Sequence, residues 1–302
     1  MRTRILYTEG KGSFTETGWD RPDCGDNEIA VTAIMTGICR SDIDMMEGNF
    51  GPLPINMSGH EGLGLVTKIG ANITDVAVGD YVATRGEPAY ADHYLSRQHE
   101  YVKVPAAEPK YILEPVACGM NIVISNIDAI EDREGPGKKL LILGSGFLAW
   151  VAYNTLLNQG HVFEIDVVGS SNRSLWGDAL SQEVSGMYDV IIDLSSRTDI
   201  FDKVIYNEDA LIIMGSQKTV TTDFSAMLWK AVTMTFPSPR NSSFQYCMSL
   251  AAQWIEEGAI KVDSFWTKAY NRNTEWQQAF EDGANRPSGY NRGYLIWSQN
   301  VI

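Results

Sequence analysis

Three short segments, far apart in a chain of 302 residues, carry side chains of the types that hold a borderline-soft metal ion. Gly37-Ile38-Cys39-Arg40-Ser41-Asp42 offers a thiolate, Gly59-His60-Glu61-Gly62 an imidazole beside a carboxylate, and Leu113-Glu114-Pro115 a second carboxylate. Thiolate, imidazole and carboxylate together suit a four-coordinate zinc ion that leaves one position for water or substrate. Each segment alone has an ordinary explanation: Cys39 as a small buried apolar residue, His60 as a polar group satisfied by its neighbours, Glu114 as an acid at a helix start. The four cysteines, Cys24, Cys39, Cys118 and Cys247, are widely spaced with no CxxC pair. That spacing encodes neither a disulfide framework nor a four-cysteine knuckle, so a metal site here must use mixed ligands.

A second set of residues suits a nucleotide. Lys138-Lys139-Leu140-Leu141-Ile142-Leu143 runs into Gly144-Ser145-Gly146-Phe147-Leu148-Ala149, a GxGxxA placed between a strand and a helix. Gly144 permits the tight turn, Gly146 lets a pyrophosphate approach the backbone, and Ala149 lets the helix pack closely on the strand. The phosphates would then meet the helix N-terminus at Phe147 and Leu148. Val168-Gly169-Ser170-Ser171-Asn172-Arg173, at the end of the next strand, has no acid to take a ribose 2′-hydroxyl. Ser170 and Ser171 can donate to a 2′-phosphate and Arg173 can pair with it, so NADP(H) is expected and NAD(H) is the alternative. Asp166 has the spacing of an NAD-type acid but stands two residues early, inside the strand.

The elements that must position these groups form two textures. Up to about Pro105, short β-type runs such as Glu28–Met35, Gly62–Ile69, Tyr81–Ala83 and Tyr101–Val104 alternate with turn residues and predict an antiparallel, barrel-like domain. After about Ile122, apolar strands (139–143, 164–168, 189–193, 210–214) alternate with helical segments such as 147–158, which predicts a doubly wound parallel sheet, an α/β fold. The last clear helix ends near Trp254–Gly258, and β-like patterning at Tyr294–Trp297 predicts that the tail rejoins the first domain. The expected domains are 1–121 with 265–302, and 122–264. The stretch 175–187 is short for a full strand and helix.

A length above 300 residues favours two domains. Hydrophobic residues at 44% and charged residues at 21% are ordinary globular usage. A net charge of −14 disfavours nucleic acid and anionic membranes as partners. The first residues reach charges before any apolar run long enough for a signal peptide, which predicts a cytoplasmic protein. Residues 140–163 carry no charge, yet glycines and amides interrupt them where a strand would turn into a helix, so no membrane span is expected. Phe50, Tyr90, Tyr94 and Trp266 are candidate pocket aromatics, and no run of basic residues points to a phosphorylated or acidic substrate.

In order and spacing, GICRSD, then GHEGLGLVTKIG, then VGDYV, then GSGFLA resembles the zinc-dependent medium-chain dehydrogenase/reductase family over nearly the whole chain, most strongly at 34–82 and 114–173. The resemblance implies a GroES-like, mostly β catalytic domain and a Rossmann cofactor domain. It implies a hydride transfer (EC 1.1.1.-) between NADP(H) and an alcohol or polyol and its aldehyde or ketone. By resemblance Cys39 and His60 are zinc ligands, and Glu114, in the Glu-Pro context of the sorbitol-type branch, is favoured over Cys118 as the third. Glu61 approaches the metal directly or in alternation with Glu114, Asp42 orients His60, and Ser41 passes the substrate proton. The family's four-cysteine lobe for a structural zinc is missing, so one catalytic zinc is expected, and Asp44 stands where a relay histidine is common. The resemblance also implies a homodimer. Two alternatives remain at this stage: a zinc-free reductase of the same fold, similar to quinone reductases, and a catalytically silent NADP-binding protein.

Overall fold

The computed structural model describes residues 1–198, 205–216 and 218–297, so the end of the expected segment 265–302 lies outside the described residues. The chain divides into two compact units, Met1–Pro115 with Met248–Ile302, and Val116–Cys247.

The first unit opens with strands β1 (Arg2–Thr8) and β2 (Phe14–Asp20), an antiparallel hairpin. Then come β3 (Glu28–Gly37), helix α1 (Arg40–Met46), β4 (Gly62–Ile69), β5 (Tyr81–Thr84), β6 (His93–Arg97) and β7 (Tyr101–Val104). β3 is largely apolar and buried along its length, and it pairs antiparallel with both β4 and β6. The Thr36–Gly62 pairing of β3 with β4 brings the segment after β3 against the segment before β4. This single ladder gathers Cys39 and His60, twenty-one positions apart in the sequence.

The second unit begins inside helix α2 (Glu114–Ile124), whose first two residues belong to the first unit, and continues with α3 (Ile127–Glu131), β8 (Lys139–Leu143), α4 (Phe147–Gln159), β9 (Glu164–Val168), α5 (Arg173–Trp176) and β10 (Leu180–Ser181). β11 (Tyr188–Asp193), β12 (Tyr206–Met214), α6 (Ser225–Trp229) and β13 (Thr233–Thr235) follow, and the unit ends inside α7 (Phe244–Glu256) at Cys247. The six strands run in the order β10-β9-β8-β11-β12-β13, every neighbouring pair parallel. A parallel sheet buries both faces, which is why β8 and β11 read as near-continuous apolar runs. Leu140, Ile142, Val190 and Ile192 pack on one face with Ala149, Ala152 and Leu156 of α4, while Leu141, Leu143, Ile191 and Ile212 pack on the other. The short stretch 175–187 leaves a two-residue β10 beside a four-residue α5. The uncharged run 140–163 is β8, the glycine turn and α4; no helix of the described residues is long and apolar enough to cross a membrane.

The chain then returns to the first unit with β14 (Trp266–Asn271), α8 (Trp276–Asn285) and β15 (Arg292–Ile296). β15 pairs antiparallel with β3, so the tail completes the first unit's sheet as expected. Helix α8, however, lies beyond the point where the last clear helix was expected to end. Its apolar face is narrow, carried by Ala279 and Phe280, and Gly283 and Asn285 weaken its helix signal. Tertiary packing supplies what propensity lacks: Phe280 stacks on Phe14 at 3.8 Å and meets Tyr90 edge-on at 5.4 Å. Tyr90 and Tyr94 are fully buried in this core and do not line a pocket.

Candidate active site

Cys39 stands at the N-cap of α1, and its position is fixed by the residue three further on. The Cys39 backbone N–H donates to Asp42 Oδ2 at 2.8 Å, the carboxylate half of a capping box. The Tyr90 hydroxyl lies 2.7 Å from the same oxygen, and 3.1 Å from the Gly37 carbonyl. Burial, and Asp42 next, push the Tyr90 hydroxyl well above its ordinary range, so it stays protonated and donates. With Oδ2 thus occupied, the other oxygen of the fully buried Asp42, Oδ1, has no hydrogen-bond partner and lies 3.6 Å from His60 Nδ1.

A carboxylate on the Nδ1 side selects the tautomer in which Nε2 carries the lone pair. Nε2 in turn points toward Ser41 Oγ, 3.4 Å away. Burial alone would lower the His60 imidazole, but the negative charges of Asp42, Cys39 and Glu114 outweigh it and raise it well above its usual value.

Glu61 immediately precedes β4 and is fully buried. Its carbonyl accepts from Gly37 N–H at 2.9 Å, and its carboxylate lies so close to Gly37 that a Cβ there would collide with it. Arg292 of β15 reaches both Glu61 oxygens at 2.5 Å from one Nη, with its guanidinium 4.9 Å above the Trp266 ring. One ligand atom from each of Cys39, His60 and Glu61 lies within 4.8 Å of the other two. Zinc ligands 2.0–2.3 Å from the metal stand about 3.5 Å apart, so small side-chain shifts suffice for this sulfur, nitrogen and oxygen set to close on one ion. The donor set thus fits zinc. Glu114, the first residue of α2, is buried and near enough for His60 to feel its charge, but it is not part of that triplet. Cys118, one turn further along α2, is not part of it either. Tyr90 and Arg292 were not legible as site residues: one read as a pocket aromatic, and the other sits more than two hundred residues from the acid it grips.

In the second unit Gly144 leaves β8 at φ +117°, a backbone region that favours glycine, and a Cβ there would meet the Leu194 carbonyl at 3.0 Å. Gly146 caps α4, and a Cβ there would meet nothing within 4 Å, open space of the kind a pyrophosphate uses. The turn lies at the carboxyl end of β8 beside β11, where the strand order reverses. Phe147 and Leu148 form the first turn of α4, with the Phe147 side chain buried. Ser145 organises the loop after β9: its hydroxyl is 3.0 Å from Ser171 Oγ, and its carbonyl accepts from Asn172 Nδ2 at 2.9 Å and Trp176 Nε1 at 3.0 Å. Ser170, Ser171 and Arg173 are exposed on that loop. Asp166 lies within β9, opposite Leu141, with its carboxylate accepting from the Tyr188 hydroxyl at 2.9 Å.

Residues 25–110 match the family model described as the alcohol dehydrogenase GroES-like domain. D-arabitol-phosphate dehydrogenase of Enterococcus avium is 23% identical, over 86% of this chain and 88% of that protein. D-arabinitol dehydrogenase 1 of Uromyces fabae is 24% identical, over 93% of this chain and 94% of that protein. Among solved structures, an oxidoreductase/dehydrogenase of unknown specificity from Escherichia coli superposes with a TM-score of 0.79 at 18% identity, covering 98% of this chain and 99% of its own; that likeness establishes the fold.

Proposed function

Because the chain belongs to the medium-chain dehydrogenase/reductase family, and is an oxidoreductase of the alcohol and polyol dehydrogenase type, we propose that it is a zinc enzyme that moves a hydride between NADP(H) and an alcohol or polyol and its carbonyl partner. The observation that carries this reading is the convergence of Cys39, His60 and Glu61, with Asp42 on one side of the imidazole and Ser41 on the other. The first unit would be the catalytic domain and the second the nucleotide domain.

Cys39 and His60 would hold the zinc with Glu61 or Glu114. When bound, zinc polarises an alcohol or carbonyl oxygen and lowers the pKa of a bound hydroxyl. Asp42, facing Nδ1, would hold the neutral ring's proton there and so present the Nε2 lone pair to a bound metal, and Ser41, at the Nε2 side, would take the proton that an alcohol must lose. Arg292, which holds both Glu61 oxygens, would compete with a bound metal for that carboxylate. Gly144 and Gly146, with Phe147 and Leu148, would receive the pyrophosphate. Ser170, Ser171 and Arg173 would meet a 2′-phosphate, a preference supported by the engagement of Asp166 with Tyr188.

A homodimer through the β13 edge is supported by the exposure around it of Phe224, Leu228, Phe236 and Trp229, the last 86% exposed. Steady-state kinetics test the proposal. Cys39→Ser and His60→Ala are expected to abolish oxidation of polyols with NADP+, and full activity in either variant contradicts the mechanism.

A further inference from the structure

We propose that the alcohol accepted at this site carries an anionic group, a phosphate monoester or a carboxylate, and that Arg286 receives it. This rests on the reading of Cys39, His60 and Glu61 as the reacting centre.

Arg286 follows the last residue of α8 and adopts a left-handed backbone, φ +47°. Its backbone N–H closes the helix on Asp282 O at 2.8 Å, and its Nη2 donates to the Asn291 carbonyl at 3.1 Å. Helix α8 lies directly on the turn that bears Cys39: a Cβ on Gly283 would come within 3.2 Å of the Ile38 and Ile43 side chains. The loop after α8 is tied to the same turn, because Ile38 N–H donates to the Gly293 carbonyl at 3.0 Å. These contacts carry Arg286 and Arg292 toward the turn that bears Cys39 and Arg40, near enough for Arg286 to feel the charges of Arg292 and Arg40, although no local run of basic residues announces them. Burial first, then Arg292 and Arg40, hold the Arg286 guanidinium below its ordinary range, with Tyr290 and Cys39 acting in the opposite sense.

The three cations differ in how they are balanced. Arg292 is taken by Glu61, and Arg40 reaches Asp44 at 3.1 Å and Glu47 at 3.5 Å. Arg286 has the Asn291 carbonyl and, among the described residues, no carboxylate. Acids are not scarce in a chain with 38 of them against 24 basic residues. The residue as a whole is exposed although its guanidinium end is crowded by its neighbours, so a small anion can reach it from solvent. A guanidinium crowded by two others and left without a counter-ion beside the reacting centre is stabilised by an oxyanion, which it binds through paired N–H donors. A neutral alcohol offers it nothing comparable.

The test compares straight-chain polyols, their terminal phosphate monoesters and the corresponding aldonates as substrates of the zinc-loaded protein. In wild type a charged series should exceed the neutral one in kcat/KM by roughly tenfold or more, the worth of a charge-assisted contact. Arg286→Gln should collapse that ratio through KM, and Arg286→Lys should keep part of it; phosphate against aldonate identifies the anion. Equal use of charged and neutral polyols by wild type overturns the inference and leaves the zinc dehydrogenase standing. An unchanged ratio in Arg286→Gln, or a loss confined to nucleotide affinity, also overturns it. If no polyol turns over, calorimetric titration of the phosphate monoesters and aldonates into wild type and Arg286→Gln decides the inference: binding weakened in the variant supports it, and no difference overturns it. Zinc content separately decides the underlying reading.

Discussion

Asp42 does two jobs through its two oxygens, one fixing the α1 N-terminus that presents Cys39 and the other facing the ring that presents Nε2. Asp42→Asn keeps the shape and removes the charge, so the imidazole loses its orienting partner. Zinc affinity, measured by competition with a chromophoric chelator, should fall about 10–100-fold while the fold persists; unchanged affinity would contradict the orienting role. Gly37 is as constrained for a steric reason. Gly37→Ala must push the Glu61 carboxylate out of its place beside Arg292, costing about 1–3 kcal/mol in urea unfolding. At this scale the candidate groups were readable as residue types, a thiol, an imidazole and a carboxylate in short separate segments, of which the structure gathers Cys39, His60 and Glu61. The partners that hold them were not: Tyr90 and Arg292 reach the site only through the pairings of β3 and β15, which no local pattern reveals.

The elements were legible in proportion to how local their signals are. β8, α4, β9, β11 and β12 announce themselves by apolar runs alternating with a helical period, and the glycine turn marks the junction between the first two. Helix α8 escaped because its stability comes from Phe280 packed on Phe14 and Tyr90 rather than from its own sequence. Phe280→Ala should therefore cost about 3–5 kcal/mol in equilibrium unfolding. A much smaller loss would show that α8 is held by something else. The parallel sheet has its own electrostatic tie. Asp189 opens β11 next to Tyr188 and accepts from Lys138 Nζ at 2.8 Å, Lys139 N–H at 2.9 Å and Asn207 Nδ2 at 3.1 Å, linking three adjacent strands. Burial alone would raise its carboxyl, but these donors outweigh it and hold it below its ordinary value. The stabilisation is thus complete above the unfolded carboxylate pKa, about 4, and is lost as pH falls from there toward the lower folded value. Asp189→Asn should destabilise the protein by about 1–3 kcal/mol at neutral pH, with the difference from wild type shrinking in acid. A gap that stays constant on acidification would rule out the carboxylate as its cause.

For the whole molecule, the change of texture after the first hundred residues suggests two domains with bounds at 121/122 and 264/265, whereas the compact units divide at Pro115/Val116 and Cys247/Met248, and a few β-type residues of the tail pair with β3. The cationic group beside Cys39 was invisible in the sequence because 246 positions separate Arg40 from Arg286. At this scale the β13 edge predicts that Trp229→Glu converts a dimer to a monomer in light scattering; an unchanged mass contradicts that interface. Elemental analysis of the purified protein and of Cys39→Ser tests the central claim most directly. The account predicts about one zinc per chain in the wild type and a near-complete loss in the variant. Wild-type protein that stays free of zinc after supplementation, or a Cys39→Ser variant that keeps its full complement, would contradict it.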